Sequence, residues 1–188
     1  DEIYEKLIYG DTVFKSVASF SKEHQDHTII VHGLAKAYSM TGWRIGFTAA
    51  PLPISKAIGA IQSHSTSNPT SFAQSGAIEA LKGSQDHLSQ WLSEFSKRRN
   101  YAYGRLTNMP GISCVNAQGA FYLFPSISGT GMKSAEFCEK LLAEQRVAAV
   151  PGVAFGSDGF IRLSYATSME NIEKGLDRLE TFVKGLSG

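Results

Sequence analysis

The first half of the chain alternates short apolar runs with stretches in which apolar residues recur at helical spacing. Residues 28–31 form a β-branched run that is typical of a buried strand. Residues 43–49 form a second run, which ends near two prolines and predicts a second strand. Helical spacing predicts helices over residues 54–62 and 72–81, with a polar loop over residues 63–71 between them. Strands that alternate with helices predict an α/β layered region.

The second half opens on a long, charged stretch, residues 85–108, whose apolar residues fit a single helix. Pro110-Gly111 ends that helix. We place a domain boundary inside it, near residue 95, so that residues 1–95 and 96–188 form two domains.

The rest of the second half is predicted to be a small α/β region. Ser134 is expected to be the N-cap of a helix over residues 134–145, and Ser168 that of a last helix ending near residue 184. The first of these helices is expected to place three apolar residues on one face: Phe137, Leu141 and Leu142. Extended runs predict the strands, at residues 112–115, 120–124, 147–150 and 160–165.

The overall composition gives no sign of a nucleic-acid or membrane partner. The 188 residues include 18 basic and 17 acidic ones, a formal net charge of +1, and 43% are hydrophobic. That balance is ordinary for a soluble globular protein and gives no electrostatic case for binding nucleic acid or an anionic membrane. No apolar run reaches the length of a membrane span. Cys114 and Cys138 are too few for a disulfide framework, so we expect reduced thiols in a cytoplasmic protein.

A lysine among small and apolar residues gives the strongest chemical signal. Lys36 follows the first predicted strand, and Arg44 comes after it between Gly42 and Gly46. Apolar surroundings disfavour a charged ammonium, and a neutral amine can attack a carbonyl to form a Schiff base. An arginine beside glycines can present its N–H groups to a phosphate. For isolated residues, a solvated Lys36 and an Arg44 paired with a carboxylate would be the simpler interpretation.

The segment from Gly33 to Gly46 resembles the lysine-attachment signature of class I pyridoxal-5′-phosphate (PLP) aminotransferases. Its sequence is Gly-Leu-Ala-Lys-Ala-Tyr-Ser-Met-Thr-Gly-Trp-Arg-Ile-Gly. The resemblance implies that Lys36 holds PLP as a Schiff base and moves the proton between the substrate Cα and the cofactor. It also implies that Arg44 binds the cofactor phosphate. The matching positions are Gly33, Ala35, Lys36, Ser39, Met40, Gly42, Arg44 and Gly46.

Two further segments are similar to segments of the same family. Asp1-Glu2-Ile3-Tyr4 looks like the segment in which an Asp pairs with the pyridinium nitrogen and a Tyr bonds the 3′-oxygen, which implies these roles for Asp1 and Tyr4. Arg162, in an apolar strand, looks like the arginine that binds the substrate α-carboxylate bidentately. Alternation along a half-buried strand also permits Arg162 simply to face solvent.

The chain departs from the family pattern at three places. His32 stands where many relatives have Asn, and Gly33 where some branches place a phosphate-binding Ser. No counterpart of the arginine that reads an aspartate side chain lies between His64 and Thr70. Substrate choice therefore stays open among aspartate, prephenate or arogenate, aromatic and alanine aminotransferases.

The resemblance covers essentially the whole chain and implies the C-terminal half of an aspartate aminotransferase-like α/β protein. Residues 1–95 would end the large PLP-binding domain, and residues 96–188 would form the small domain. The implied reaction is amino transfer between an amino acid, with aspartate favoured, and a 2-oxo acid, 2-oxoglutarate, in a cytoplasmic homodimer. Because the chain opens on Asp1 without an initiator Met, we expect it to need the missing N-terminal half of the same protein and to be inactive alone.

Other possibilities stay open beside amino transfer. A PLP enzyme of the same fold could perform elimination or ring closure. A non-catalytic regulator could use Lys36, Arg44 and Arg162 to bind PLP as an effector. No metal is expected in any of these, since no pair of histidines has metal-ligand spacing.

Overall fold

Residues 1–186 are described by a computed structural model. The chain divides into two units, Asp1–Leu92 and Ser93–Gly188. Both units combine helices with sheet, which confirms the predicted α/β class. The assignment of residues 1–95 and 96–188 to a large and a small domain stays a prediction.

In the first unit, β1 (Ile30–Gly33) pairs antiparallel with β2 (Gly46–Ala49). The register places Gly33 opposite Gly46, so the segment between the two strands is a loop whose ends meet. The helices of this unit are α1 (Lys22–Asp26), α2 (Leu52–Ser65), α3 (Ser71–Lys82) and the beginning of α4 (Asp86–Leu106).

The small residues of α3 let this helix pack closely against the loop between β1 and β2. Ala77 is buried together with Leu34 and Met40 of the loop. Trp43 lies over Gly76, where a Cβ would come within 2.5 Å of the indole ring. A larger side chain at either helix position would push the loop outward, so the alanine-rich composition of α3 fixes where the loop lies.

The second unit contains a sheet of order β3-β5-β4, formed by β3 (Tyr122–Leu123), β4 (Val150–Pro151) and β5 (Ile161–Ser164). Both neighbours pair antiparallel with β5. Ile161 and Leu123 are 0% and 2% exposed, so one face of the sheet belongs to the core. Since side chains alternate along a strand, Arg162 and Ser164 lie on the other face. The helices of this unit are the rest of α4, α5 (Ser134–Gln145) and α6 (Met169–Leu186).

Several predicted boundaries in the first unit are wrong. β1 begins at Ile30 rather than at residue 28. β2 begins only at Gly46, because Thr41–Trp43 forms a 3₁₀ turn before it. The polar loop predicted from residue 63 starts after Ser65, because α2 continues to that residue. In each case the residue pattern and the hydrogen-bonded element differ in length, because composition alone does not show where backbone hydrogen bonding begins or ends.

The predicted bounds of α5 are confirmed, but its predicted N-cap is wrong. Lys133 is the N-cap of α5, and Ser134 is its first helical residue. The Ser134 hydroxyl donates to the Asp158 carboxylate at 2.7 Å and accepts a hydrogen bond from the Val153 amide at 3.2 Å. It therefore ties α5 to the turn that follows β4.

The predicted buried face of α5 is wrong, whereas the predicted N-cap of α6 is confirmed. Leu142 is 51% exposed, whereas Phe137 and Leu141 are fully buried, so the three do not share one packed face. At α6 the predicted cap is confirmed, because the Ser168 hydroxyl oxygen accepts a hydrogen bond from the Asn171 amide at 3.2 Å.

Candidate active site

Lys36 lies in a turn directly after β1 and is half-buried. Two backbone hydrogen bonds shape the turn: the Tyr38 amide donates to the Leu34 carbonyl at 3.2 Å, and the Ser39 amide donates to the Lys36 carbonyl at 3.3 Å. Leu34 and Met40, on either side, are 2% and 7% exposed. The burial of these flanking residues anchors the backbone that carries the Lys36 amine.

Two glycines close the loop that contains Lys36. A Cβ at Gly33 would lie 3.1 Å from the Ile45 carbonyl oxygen and 3.2 Å from the Gly46 Cα. A Cβ at Gly46 would lie 3.0 Å from the His32 carbonyl oxygen. Because these contacts are with backbone, which cannot swing aside, the close approach of the two strands requires glycine at both positions.

Arg44 stands at the other end of the loop, in a left-handed backbone conformation with φ 55°. Such a conformation is costly for a residue with a side chain and is found mainly where the surroundings impose it. Thr41 supplies one constraint, since its carbonyl accepts a hydrogen bond from Arg44 Nη1 at 2.9 Å. The Thr41 hydroxyl in turn donates to the Ala35 carbonyl at 3.0 Å, next to Lys36. Thr41 therefore connects the backbone beside Lys36 with the guanidinium of Arg44.

The guanidinium of Arg44 borders an open cleft of about 600 Å³. Nothing in the described residues forms an ion pair with it, so N–H groups are left for an anion. The cleft is lined by polar side chains and by two aromatic rings, among them Trp43, Gln62, Asn68, Thr70 and Phe72.

The first residues of the chain run alongside β1. The Glu2 amide donates to the Val31 carbonyl at 2.9 Å, and the Ile3 side chain comes within 3.4 Å of where a Gly33 Cβ would be. The Asp1 carboxylate accepts a hydrogen bond from the Ile3 amide at 3.0 Å, and Tyr4 follows in the same turn. The structure thus brings the Asp1–Tyr4 segment to the strand that leads into Lys36.

A contact between His32 of β1 and Glu5, which follows Tyr4, was not predicted from the sequence. His32 Nδ1 accepts a hydrogen bond from the Gly33 amide at 2.8 Å, so the ring proton is on Nε2, which lies 3.1 Å from the Glu5 carboxylate. Partial burial raises the pKa of the Glu5 carboxyl, but the contacts with His32 and Lys6 outweigh burial and hold that pKa below its ordinary value. His32 was notable only as a departure from Asn, and no spacing pattern connects it with Glu5.

Arg162, the remaining predicted site residue, belongs to the second unit. It is half-buried on the outer face of β5, and its Cζ lies 4.4 Å from the centroid of the Tyr122 ring and 4.8 Å from that of the Phe155 ring. Among the described residues it has no hydrogen-bond or ion-pair partner. An arginine held by rings, with its N–H groups unmatched, is suited to bind a carboxylate.

Arg105 in the same unit provides a contrast. Its Nη2 lies 2.7 Å from the Asp177 carboxylate and 2.8 Å from the Glu180 carboxylate. These hydrogen bonds raise the pKa of Arg105 above its ordinary value. Arg105 is thus a structural cation that links α4 with α6, whereas Arg162 lacks such partners.

The groups of the first unit fit PLP in their chemistry. Lys36 offers an amine for the aldehyde of PLP, and Arg44 offers a guanidinium for its phosphate. Both residues lie on the one loop whose ends meet at Gly33 and Gly46. A carboxylate suited to a pyridinium nitrogen, that of Asp1, belongs to the segment beside β1. The glycine pair lets the two strands approach each other closely, which holds the two ends of the loop side by side.

The family model for aminotransferase class I and II matches residues 1–179. The chain belongs to this family. It is 47% identical over 189 aligned residues to the aspartate aminotransferase of Bacillus subtilis (strain 168), covering 98% of this chain and 48% of that protein. It is 45% identical to the probable aspartate/prephenate aminotransferase of Aquifex aeolicus (strain VF5), covering 96% of this chain and 47% of that protein.

Solved aminotransferase structures share the fold. The aromatic aminotransferase of Pyrococcus horikoshii OT3 superposes with a TM-score of 0.94 at 39% identity, over 99% of this chain and 50% of that one. The aspartate aminotransferase of Rhizobium meliloti does so with a TM-score of 0.94 at 36% identity, over 98% and 48%. The chain therefore spans about half the length of the aminotransferases that it matches.

Residues 1–186 contain no helix that combines the length and the apolar character that crossing a bilayer requires. They also contain no group of three or more His, Cys, Asp or Glu side chains that could hold a metal ion.

Proposed function

We propose that this chain is part of a PLP-dependent aminotransferase and that Lys36 is its cofactor-binding lysine. The observation that carries the proposal is the loop between β1 and β2. It holds Lys36 and Arg44 together through the Gly33–Gly46 approach and the hydrogen bonds of Thr41. The match to the family model includes this loop, which supports the same roles.

PLP, when bound, supplies a conjugated ring that accepts the electrons released as a substrate Cα–H bond breaks. Lys36 would hold the cofactor through its amine and, once displaced by an amino acid, take up and return the Cα proton. Arg44 would bind the phosphate, and Asp1 would keep the ring nitrogen protonated. Tyr4 would donate its hydroxyl to the ring oxygen.

Arg162 would bind the substrate α-carboxylate. Its lack of an anionic partner among the described residues supports this role, since burying a charge even partly is favourable only when it is paired. A planar guanidinium matches a carboxylate bidentately and so fixes the orientation of the substrate.

Aspartate is the amino donor that we favour, with 2-oxoglutarate as the acceptor, because several relatives are named aspartate aminotransferases. A second candidate has equal support. Other relatives are named aspartate/prephenate aminotransferases, and one structure is named an aromatic aminotransferase. Prephenate, arogenate or aromatic donors therefore belong in the same test.

We further propose that activity requires the half of the aminotransferase that this chain does not include. Relatives match over only about half of their own length, which supports this requirement. We also propose a homodimer in the cytoplasm, by analogy with the family.

A donor screen tests the function directly. The protein, completed by its other half, is supplied with PLP, 2-oxoglutarate and one amino acid at a time, and glutamate formation is measured. We expect glutamate with aspartate and loss of at least 10³-fold of the rate in Lys36→Ala, while Lys56→Ala on the exposed face of α2 acts as the matched control. PLP binding without glutamate from any donor would instead favour a regulator or another PLP reaction.

A further inference from the structure

Two aromatic rings contact the guanidinium of Arg162. Tyr122 comes from the neighbouring strand β3, and Phe155 from the 3₁₀ turn Gly152–Phe155 after β4. The distances of 4.4 Å and 4.8 Å from Cζ to the ring centroids lie well inside the cation–π range of about 6 Å. A guanidinium that contacts ring faces keeps its N–H groups available, because they lie in its own plane.

The Tyr122 ring also contacts a second aromatic ring. It lies 4.7 Å from the Phe121 ring, centroid to centroid. Phe121 in turn stacks on Phe95 of α4 at 5.8 Å with an interplanar angle of 22°. The register also fixes Tyr122, which pairs with Ser164, on the same face of the sheet as Arg162.

The Phe155 ring likewise contacts another aromatic ring. Phe124 meets it edge to face at 5.9 Å and itself stacks on Phe160 at 5.1 Å, nearly parallel at 7°. Despite these contacts Phe155 is 48% exposed. The ring therefore contacts Arg162 on one side while part of its surface stays open to solvent.

The backbone that carries Phe155 is also restrained. Gly152 is buried, and a Cβ there would collide with the backbone carbonyls of Ser157 and Phe160. The Val153 amide donates to the Ser134 hydroxyl at 3.2 Å. Gly156 ends the turn with φ 78°, a conformation that favours glycine. The turn therefore has little freedom to move the ring away from Arg162.

We propose that Tyr122 and Phe155 are positioning residues, whose rings hold the Arg162 guanidinium in one orientation for the substrate carboxylate. The inference rests on the proposed role of Arg162. An arginine on an open sheet face loses rotational freedom about several side-chain bonds when it binds a ligand. Ordering the side chain beforehand lowers this entropic cost and so raises affinity. The rings supply that order without competing for the N–H groups.

Binding of 2-oxoglutarate to the PLP-loaded, completed protein tests this, because the acceptor alone does not turn over. Phe155→Leu keeps an apolar side chain but removes the ring, and we expect affinity to fall about fivefold. Phe155→Tyr and Tyr122→Phe keep a ring and should remain within about twofold of the parent. Val153→Ala, an exposed position on the same turn, is the matched control. In steady state, KM for 2-oxoglutarate should rise more than kcat falls.

A structural readout accompanies the affinities. In the parent, ring currents should shift the NMR signal of the Arg162 Nε–H, and Phe155→Leu should reduce that shift while the thermal unfolding midpoint stays near the parent value. Unchanged affinity in both Phe155→Leu and Tyr122→Leu would overturn the positioning role. Unchanged affinity in Arg162→Gln would instead overturn the proposed carboxylate site, so the two failures are distinguishable.

Discussion

Thr41 accepts a hydrogen bond from Arg44 through its backbone carbonyl, at 2.9 Å, while its hydroxyl donates to the Ala35 carbonyl beside Lys36. One residue thus connects the two ends of the loop that we propose as the cofactor site. The hydroxyl bond depends on the side chain, so a substitution at Thr41 can remove it and leave in place the backbone carbonyl that accepts from Arg44.

Thr41→Val should therefore weaken PLP binding. Loss of one hydrogen bond costs about 0.5–1.5 kcal/mol, which corresponds to roughly 2- to 13-fold in affinity. Absorbance titration of the completed protein with PLP measures this change. Thr41→Ser keeps the hydroxyl and should bind within about twofold of the parent; equal affinities for Val and Ser variants would show that the hydroxyl does not hold the loop.

Gly33→Ala should destabilise the first unit, because its Cβ would meet backbone atoms at 3.1 and 3.2 Å. Forcing the strands apart in this way costs about 1–3 kcal/mol. Thermal or urea unfolding monitored by circular dichroism measures it. Gly59→Ala in α2, where a Cβ meets nothing within 4 Å, should instead stabilise by about 0.5–1 kcal/mol; a similar loss in both variants would contradict the close-approach argument.

The His32–Glu5 pair predicts a dependence of stability on pH. The folded-state pKa of Glu5 lies below its ordinary value, so the unfolded chain binds the proton more readily. The pair therefore stabilises the fold above pH 4.5, and this contribution is lost as the pH falls through the lowered pKa.

Urea unfolding at several pH values measures this contribution. Glu5→Gln should lower stability near pH 6 and lose less of it on acidification to pH 3 than the parent does. Glu139→Gln, at an exposed position of α5, is the matched control and should follow the parent. Identical acid dependence in the parent and Glu5→Gln would refute a stabilising role for the pair.

Cys138 should resist alkylation in the folded chain. Burial raises the pKa of its thiol to about 11, and burial likewise raises the pKa of Cys114. At pH 8 roughly one Cys138 thiol in a thousand is then ionised, against about a quarter for a free cysteine. Iodoacetamide labelling followed by mass spectrometry should proceed at least 100-fold more slowly at Cys138 in buffer than in urea; comparable rates would show that the thiol is accessible.

The parts of the site that the sequence predicts are those encoded in contiguous residues. Lys36 and Arg44 stand in one signature, and the glycines at its ends are needed because the strands meet there. The pairing of His32 with Glu5 was not predicted, because these two residues lie far apart along the chain. The contacts of Tyr122 and Phe155 with Arg162 depend on how β3, β5 and the turn after β4 pack together, which no local pattern shows.

The wrong predictions about the fold have similar physical causes. Ser134 has the residue type of an N-cap, but the Asp158 carboxylate competes for its hydroxyl and the cap falls on Lys133. Leu142 fits the helical spacing of a buried face, yet neighbouring elements cover only Phe137 and Leu141. Local patterns therefore located the helices, while tertiary contacts decided their caps and buried faces.

Covalent trapping of PLP tests the central claim most directly. The completed protein is incubated with PLP, reduced with borohydride, digested and analysed by mass spectrometry, with Lys36→Arg and Lys56→Ala in parallel. We predict a pyridoxyl group on the peptide that contains Lys36, absent from Lys36→Arg and unchanged in Lys56→Ala. A modification that falls on other lysines, or none at all in the completed protein, would contradict the assignment of Lys36.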